Sequence, residues 1–136
     1  LWSLAGLAAA DGVTLKVKVT GIRGAKGQIG VALFDRANAQ AYPKEPARAL
    51  AEKNLAIVNG EAEVEFPGLA EGAVYAAAAR HDENSNGKLD MNFVGIPKEG
   101  FGFSNNARPG AMRPPTFEDA AFILRTGEPV LIRLRY

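Results

Sequence analysis

Residues 82–90 read Asp82-Glu83-Asn84-Ser85-Asn86-Gly87-Lys88-Leu89-Asp90. Oxygen-bearing side chains stand at alternate positions and are followed by a glycine and a further carboxylate. That spacing lets one loop wrap a single hard cation, because alternate oxygens converge on a point and the glycine takes the sharp turn. On the template of a helix–loop–helix calcium site, Asp82, Asn84 and Asn86 are the first, third and fifth ligands. Lys88 gives its carbonyl, and Asp90 sits ninth, directly or through water. The twelfth position is Phe93, where that template has a bidentate Glu, and the flanks carry a strand pattern. The expectation is therefore a related Ca²⁺-type loop on a β scaffold. A carboxylate from outside, Glu99, Glu118 or Asp119, would complete it. With two carboxylates in the loop, affinity is expected on the order of 10⁻⁴–10⁻³ M. The competing reading is an Asn/Asp-rich turn whose side chains cap its own amides.

Other chemistry is bounded by what the chain lacks. It has no Cys and one His, which removes disulfides, thiol nucleophiles and multi-histidine metal sites. A Ser104–His81–Asp82 triad can be written down, but Ser104 lacks a nucleophile elbow. His81 and Asp82 are also neighbours in one extended segment and point to opposite faces. His81 reads as a structural residue at a strand end. Gly100-Phe101-Gly102 is too short for a dinucleotide fingerprint. The net charge of +1 gives no long-range field toward nucleic acid or an anionic membrane.

The elements that must position the loop are strands. Val13 to Thr20 alternates strictly, and Gln28 to Phe34 repeats the pattern with Ile29, Val31 and Leu33 on one face. A loop and a short helix are expected over Asp35 to Lys53, from Pro46 and the Ala-rich run that follows. Asn54–Val58 and Glu61–Phe66 flank Asn59-Gly60, a strong hairpin signal. Glu61, Glu63 and Glu65 then form an outward acidic column that calls for basic neighbours. Gly72 to His81 is apolar on both faces and predicts a central strand, with bulky rings lying over Ala76 to Ala79. Phe93, Phe101, Phe103 and Phe117 are the candidates. Thr116 to Asp119 predicts one capped helical turn. Phe122–Arg125 and Val130–Tyr136 predict a closing hairpin. The fold class expected is all-β: a single antiparallel β-sandwich, transthyretin-like or immunoglobulin-like with Greek-key connections and one or two short helical turns. The stretch between Asp82 and Ala121 is long for a loop in a compact domain, and function is expected there.

Residues 1–10 are uncharged and end in Ala8-Ala9-Ala10, the small-x-small pattern before a signal-peptidase cut. They are expected to be a signal-peptide remnant, with residues 11–136 as one exported domain, periplasmic or secreted. No segment is apolar and long enough to span a bilayer as a helix. The chain also resembles a family of exported bacterial proteins, the domain of unknown function family 2141. The resemblance rests on Gly27-x-Ile29-Gly30-Val31-Ala32-Leu33-Phe34, on Val74-Tyr75-Ala76, on the 81–90 motif and on Gly95-Ile96-Pro97-Lys98-Glu99-Gly100-Phe101-Gly102-Phe103-Ser104-Asn105-Asn106. Pro114-Pro115-x-Phe117-x-Asp119-Ala120-Ala121-Phe122 and Ile132-Arg133-Leu134-Arg135-Tyr136 complete it. It departs at Gly72-Ala73-Val74-Tyr75, where one extra residue precedes Tyr75. The resemblance implies a signal peptide, one small β-rich domain and no assigned activity.

The function expected is a non-enzymatic binding or accessory module for an unknown ligand or envelope protein, with no nucleic acid involved. Its long loop would be ordered by a Ca²⁺-like cation. The rivals are a hydrolase built on Asp82, Asp90 and Glu99, and a structural envelope protein that associates by a sheet edge. Export carries its own test. Trp2 is the chain's one tryptophan, so protein taken from the native envelope should show an intact mass starting near Asp11 and no tryptophan emission. Tryptophan emission from the mature protein would refute processing at that site.

Overall fold

Alternation along the first strand, β1 (Val13–Thr20), buries Leu15, Val17 and Val19 and leaves Thr14 and Lys16 exposed. The fold is that of a computed structural model, which describes residues 12–83, 100–110 and 113–136. The other strands are β2 (Gln28–Asp35), β3 (Ala51–Leu55), β4 (Ala62–Leu69) and β5 (Val74–Asp82). They are followed by β6 (Phe101–Phe103), β7 (Phe122–Ile123) and β8 (Val130–Arg133). One sheet runs β4-β1-β8; the other runs β3-β2-β5-β6, with β7 also on β5. The two pack face to face over Val17, Val19, Ile29, Val31, Leu33, Phe66, Ile132 and their neighbours. This is the expected all-β sandwich. The β1–β8 pair is parallel, whereas β1–β4 and every pairing within the second sheet are antiparallel.

The acidic column of β4 lies beside basic β1. Lys16 is opposite Glu65 and Lys18 opposite Glu63, and Lys18 Nζ reaches Glu61 at 3.2 Å. Opposed charges across a ladder stabilise the pair, so this stripe belongs to the sheet itself. β5 is the central strand, between β2 and β6, and Ala76, Ala77 and Ala79 are buried. Its inward face joins the main core. Its outward face carries a second, aromatic layer in which Tyr42, Phe103 and Phe117 cover Ala32, Phe34 and Ala76. Tyr42 meets Phe34 edge-on at 5.1 Å, and its hydroxyl donates to the Ala77 carbonyl at 2.8 Å. Phe117 opens the helical turn α1 (Phe117–Ala120). The Thr116 hydroxyl accepts from Asp119 N–H and the Asp119 carboxylate accepts from Thr116 N–H. That is a reciprocal cap, which satisfies donors that one helical turn leaves open. Phe93 lies outside the described residues.

Three local expectations are corrected. Asn59 and Gly60 do form the tight turn, with φ of 53° and 78°, and Val58 bridges Glu61. The arms then part, however: β3 joins β2 in one sheet and β4 joins β1 in the other. The Ala-rich helix is reduced to a three-residue 3-10 turn, Pro46–Arg48, preceded by another 3-10 turn at Arg36–Ala41. Ala51–Lys53 is strand, because ladder bonds to β2 outweigh alanine's helical preference. The closing hairpin does not form. β7 pairs with the start of β5 and β8 pairs with β1, so the intervening chain crosses the sandwich. Tyr75 is in register with Asp35 and Phe122, and its hydroxyl accepts from Ala70 N–H at 3.0 Å.

Among the described residues no helix is long and apolar enough to cross a membrane. The aromatic layer supplies a stability test. Phe117 is 4% exposed, so Phe117→Ala should cost about 3–5 kcal/mol in urea unfolding through lost burial and the cavity left behind. Wild-type stability in that variant would show that the outer layer does not hold the fold.

Candidate functional site

The 82–90 motif starts on the last residue of β5, so its first candidate ligand is fixed by the sheet. Gln28 lies opposite Asp82 in the β2–β5 ladder, and its Nε2 donates to Asp82 Oδ2 at 3.3 Å. Asp82 is fully buried. The chain before β2 closes over this point. Gly27 has φ +83°, and a Cβ there would sit 2.1 Å from the Asp82 carbonyl oxygen. No side chain fits, so glycine is required by contact as well as by backbone angle.

The returning stem is pinned too. His81 N–H donates to the Gly100 carbonyl at 2.8 Å. A Cβ on Gly100 would lie 2.4 Å from the Tyr136 ring, which passes directly over it. The His81 ring then links three segments. Its Nε2 is 2.7 Å from the Lys26 carbonyl, which can only accept, so Nε2 carries the proton. In the neutral ring Nδ1 accepts from the Tyr136 hydroxyl at 2.6 Å. Tyr136 Oη in turn accepts from Arg23 N–H at 2.9 Å. The Arg23 guanidinium lies 4.2 Å over the Tyr136 ring, and its Nη2 is 3.9 Å from Glu83 Oε1. Burial holds the Tyr136 hydroxyl above the usual tyrosine range; Glu83 adds to this, and the Arg23 N–H bond and the Arg23 charge partly offset it.

The triad is not assembled. The Ser104 hydroxyl is buried, accepts from Ala77 N–H at 2.9 Å and lies 2.6 Å from the Ala120 carbonyl, to which it donates. It therefore sits beside Ala77, about 13 Å along β5 from His81 at roughly 3.3 Å per residue. His81 lies at the end of β5, where the sequence places it, and is fully buried. Of the metal set, Asp82 is described; Asn84, Asn86, Lys88 and Asp90, with Glu99, lie outside the described residues. Two of the carboxylates considered for completing a cage are committed elsewhere. Glu118 pairs with Arg36, whose guanidinium stacks on Phe117 at 5.2 Å. Asp119 is held below the usual carboxylate range by the Thr116 N–H and hydroxyl, with Arg113 adding to the effect. Among the described residues no three His, Asp or Glu side chains converge.

Tyr136, Arg23, Gly27 and Gly100 were absent from the sequence-based site. Their signal was there in part. Gly100-x-Gly102 marks a close backbone approach: a Cβ on Gly102 would sit 2.6 Å from Ile132 Cγ2 and 2.7 Å from the Arg133 carbonyl oxygen. Gly30 has a related role, since Arg80 lies across it and reaches Glu52 on β3 at 3.2 Å.

A family model described as "Uncharacterized protein conserved in bacteria (DUF2141)" matches residues 17–131. No curated protein matches, and no solved structure matches.

The His81–Tyr136 contact gives a pH test. Tyr136→Phe removes the donor to a buried ring nitrogen and should cost about 1–3 kcal/mol. The raised Tyr136 pKa means its contribution is complete below the unfolded tyrosine value, about 10, and is lost as pH rises through the folded value. Chemical unfolding from pH 8 to about 11 should therefore show a shallower alkaline loss in Tyr136→Phe than in wild type. Parallel curves would show that the hydroxyl does not bond His81. Tyr42, whose pKa burial also raises, keeps part of the slope in both proteins.

Proposed function

The chain belongs to the family of uncharacterized proteins conserved in bacteria, DUF2141, and from that premise we propose that it is an exported, non-enzymatic binding or accessory module. The segment after β5 is its recognition loop, ordered by a Ca²⁺-type cation held by Asp82, Asn84, Asn86, the Lys88 carbonyl and Asp90. Its partner is a ligand or protein of the envelope. One observation carries the reading: Asp82, the first ligand in the motif, is presented from a clamped stem, with its side chain already held by Gln28. A ligand fixed by the scaffold spares a loop much of its ordering cost on binding.

A nucleophilic role for Ser104 with His81 draws less support. His81 and Ser104 are both fully buried, and their polar atoms are engaged by Lys26, Tyr136, Ala77 and Ala120. Export rests on the uncharged run that ends in Ala8-Ala9-Ala10.

Thermal melts decide the cation. With a dissociation constant of about 10⁻⁴ M, 1 mM Ca²⁺ stabilises the fold by about 1.4 kcal/mol over chelator. That is a rise of roughly a few degrees in Tm. Mg²⁺ should give less, because it holds its waters and demands octahedral geometry. Asp90→Asn should abolish the Ca²⁺ response and leave the melt in chelator near wild type. Wild-type protein with neither a Ca²⁺ shift nor heat on calorimetric titration would remove the cation and leave a self-capped turn.

A further inference from the structure

β3 is the outer strand of one sheet and β4 the outer strand of the other. On the opposite side the sheets are sewn together: Phe101 N–H bonds the Arg135 carbonyl at 3.0 Å and Arg135 N–H bonds the Phe101 carbonyl at 2.8 Å. On the β3–β4 side the chain crosses at the Val58–Glu61 bridge, and among the described residues no backbone bond joins β3 itself to β4. A free strand edge of this kind is a template for another chain.

One side chain sits in the gap. Ala51 and Leu55 pack on the main core, so Lys53 between them points to the same inward face. Its Nζ lies 5.5 Å from the centre of the Phe66 ring and donates to the Glu65 carbonyl of β4 at 2.8 Å. The lysine spans the open side and occupies an edge acceptor of the facing strand. Two residues on, Pro67 gives β4 no amide hydrogen to offer.

We propose that Lys53 keeps the β3 edge from pairing with β3 of a second copy of this chain. The strand has five residues and Lys53 is its centre. A two-fold antiparallel β3–β3 pair that matches all five, with both inward faces on one side, sets the two Lys53 side chains directly opposite. Like charges so placed repel, and each ammonium would first have to leave its Glu65 carbonyl. A neutral β-former at 53 removes both obstacles and supplies a favourable cross-strand contact.

Size exclusion with light scattering, across micromolar to millimolar protein, tests this on Lys53→Val and Lys53→Arg. Wild type and Lys53→Arg should stay monomeric. Lys53→Val should form a dimer at high concentration, and amide exchange should slow across 51–55 as it does so. If circular dichroism shows that Lys53→Val does not fold, Lys53→Thr is judged by the same criterion. A folded variant that stays monomeric throughout overturns the proposal. So does wild type that dimerises, or a dimer whose new protection falls on other strands.

Discussion

β5 is covered on both faces, and the rest of the architecture follows from how that is done. A strand buried on two sides needs apolar residues on both, and small ones let the covering layers come close. Ala76, Ala77 and Ala79 keep the strand thin, so β2 and β6 flank it and two separate apolar layers close over it. The inner layer is ordinary sandwich core. The outer one is built from loop residues, Tyr42, Phe103 and Phe117, brought in by a 3-10 turn and one capped helical turn. Much of the chain that is neither strand nor site is spent covering the back of this strand.

The same strand ends at the candidate site. Where the aromatic layer stops, its outward face turns polar: Arg80 crosses Gly30 to Glu52, and Asp82 takes the amide of Gln28. His81, between them, points inward and is held by backbone and hydroxyl groups from three segments. Apolar packing and polar contacts are thus stacked along a single strand, up to its last residue.

Sequence pattern alone made the strands legible wherever one face was apolar, as in β1, β2 and β4. It also made β5 legible through its lack of alternation. The Asn59-Gly60 turn, the Thr116 cap and the lysine–glutamate ladder were readable because each is a local or nearest-strand rule. Partner choice was not. The arms after Asn59-Gly60 and the two last strands look like hairpins, and only the competition among all strands for the same core sends them to opposite sheets. Tyr136 could not be placed from the pattern, since its contacts are with Arg23 and His81, far away in sequence. Asp82 was legible as a candidate ligand, but its burial was not. The glycines at 27, 100 and 102 were visible as symbols, and their meaning required knowing which atoms pass within 3 Å.

The stem clamped by Gly27, His81, Gly100 and Tyr136 separates two kinds of change. Its ends are joined by a backbone hydrogen bond and roofed by an aromatic ring, so the distance between them does not depend on what lies between. The entropy of closing such a segment grows only logarithmically with its length; doubling it costs about 0.6 kcal/mol. A few residues more or fewer between the two ends would therefore change the closure entropy little. A substitution at Gly27 or Gly100, where a side chain would run into backbone or the Tyr136 ring, would instead be felt by the sheet itself.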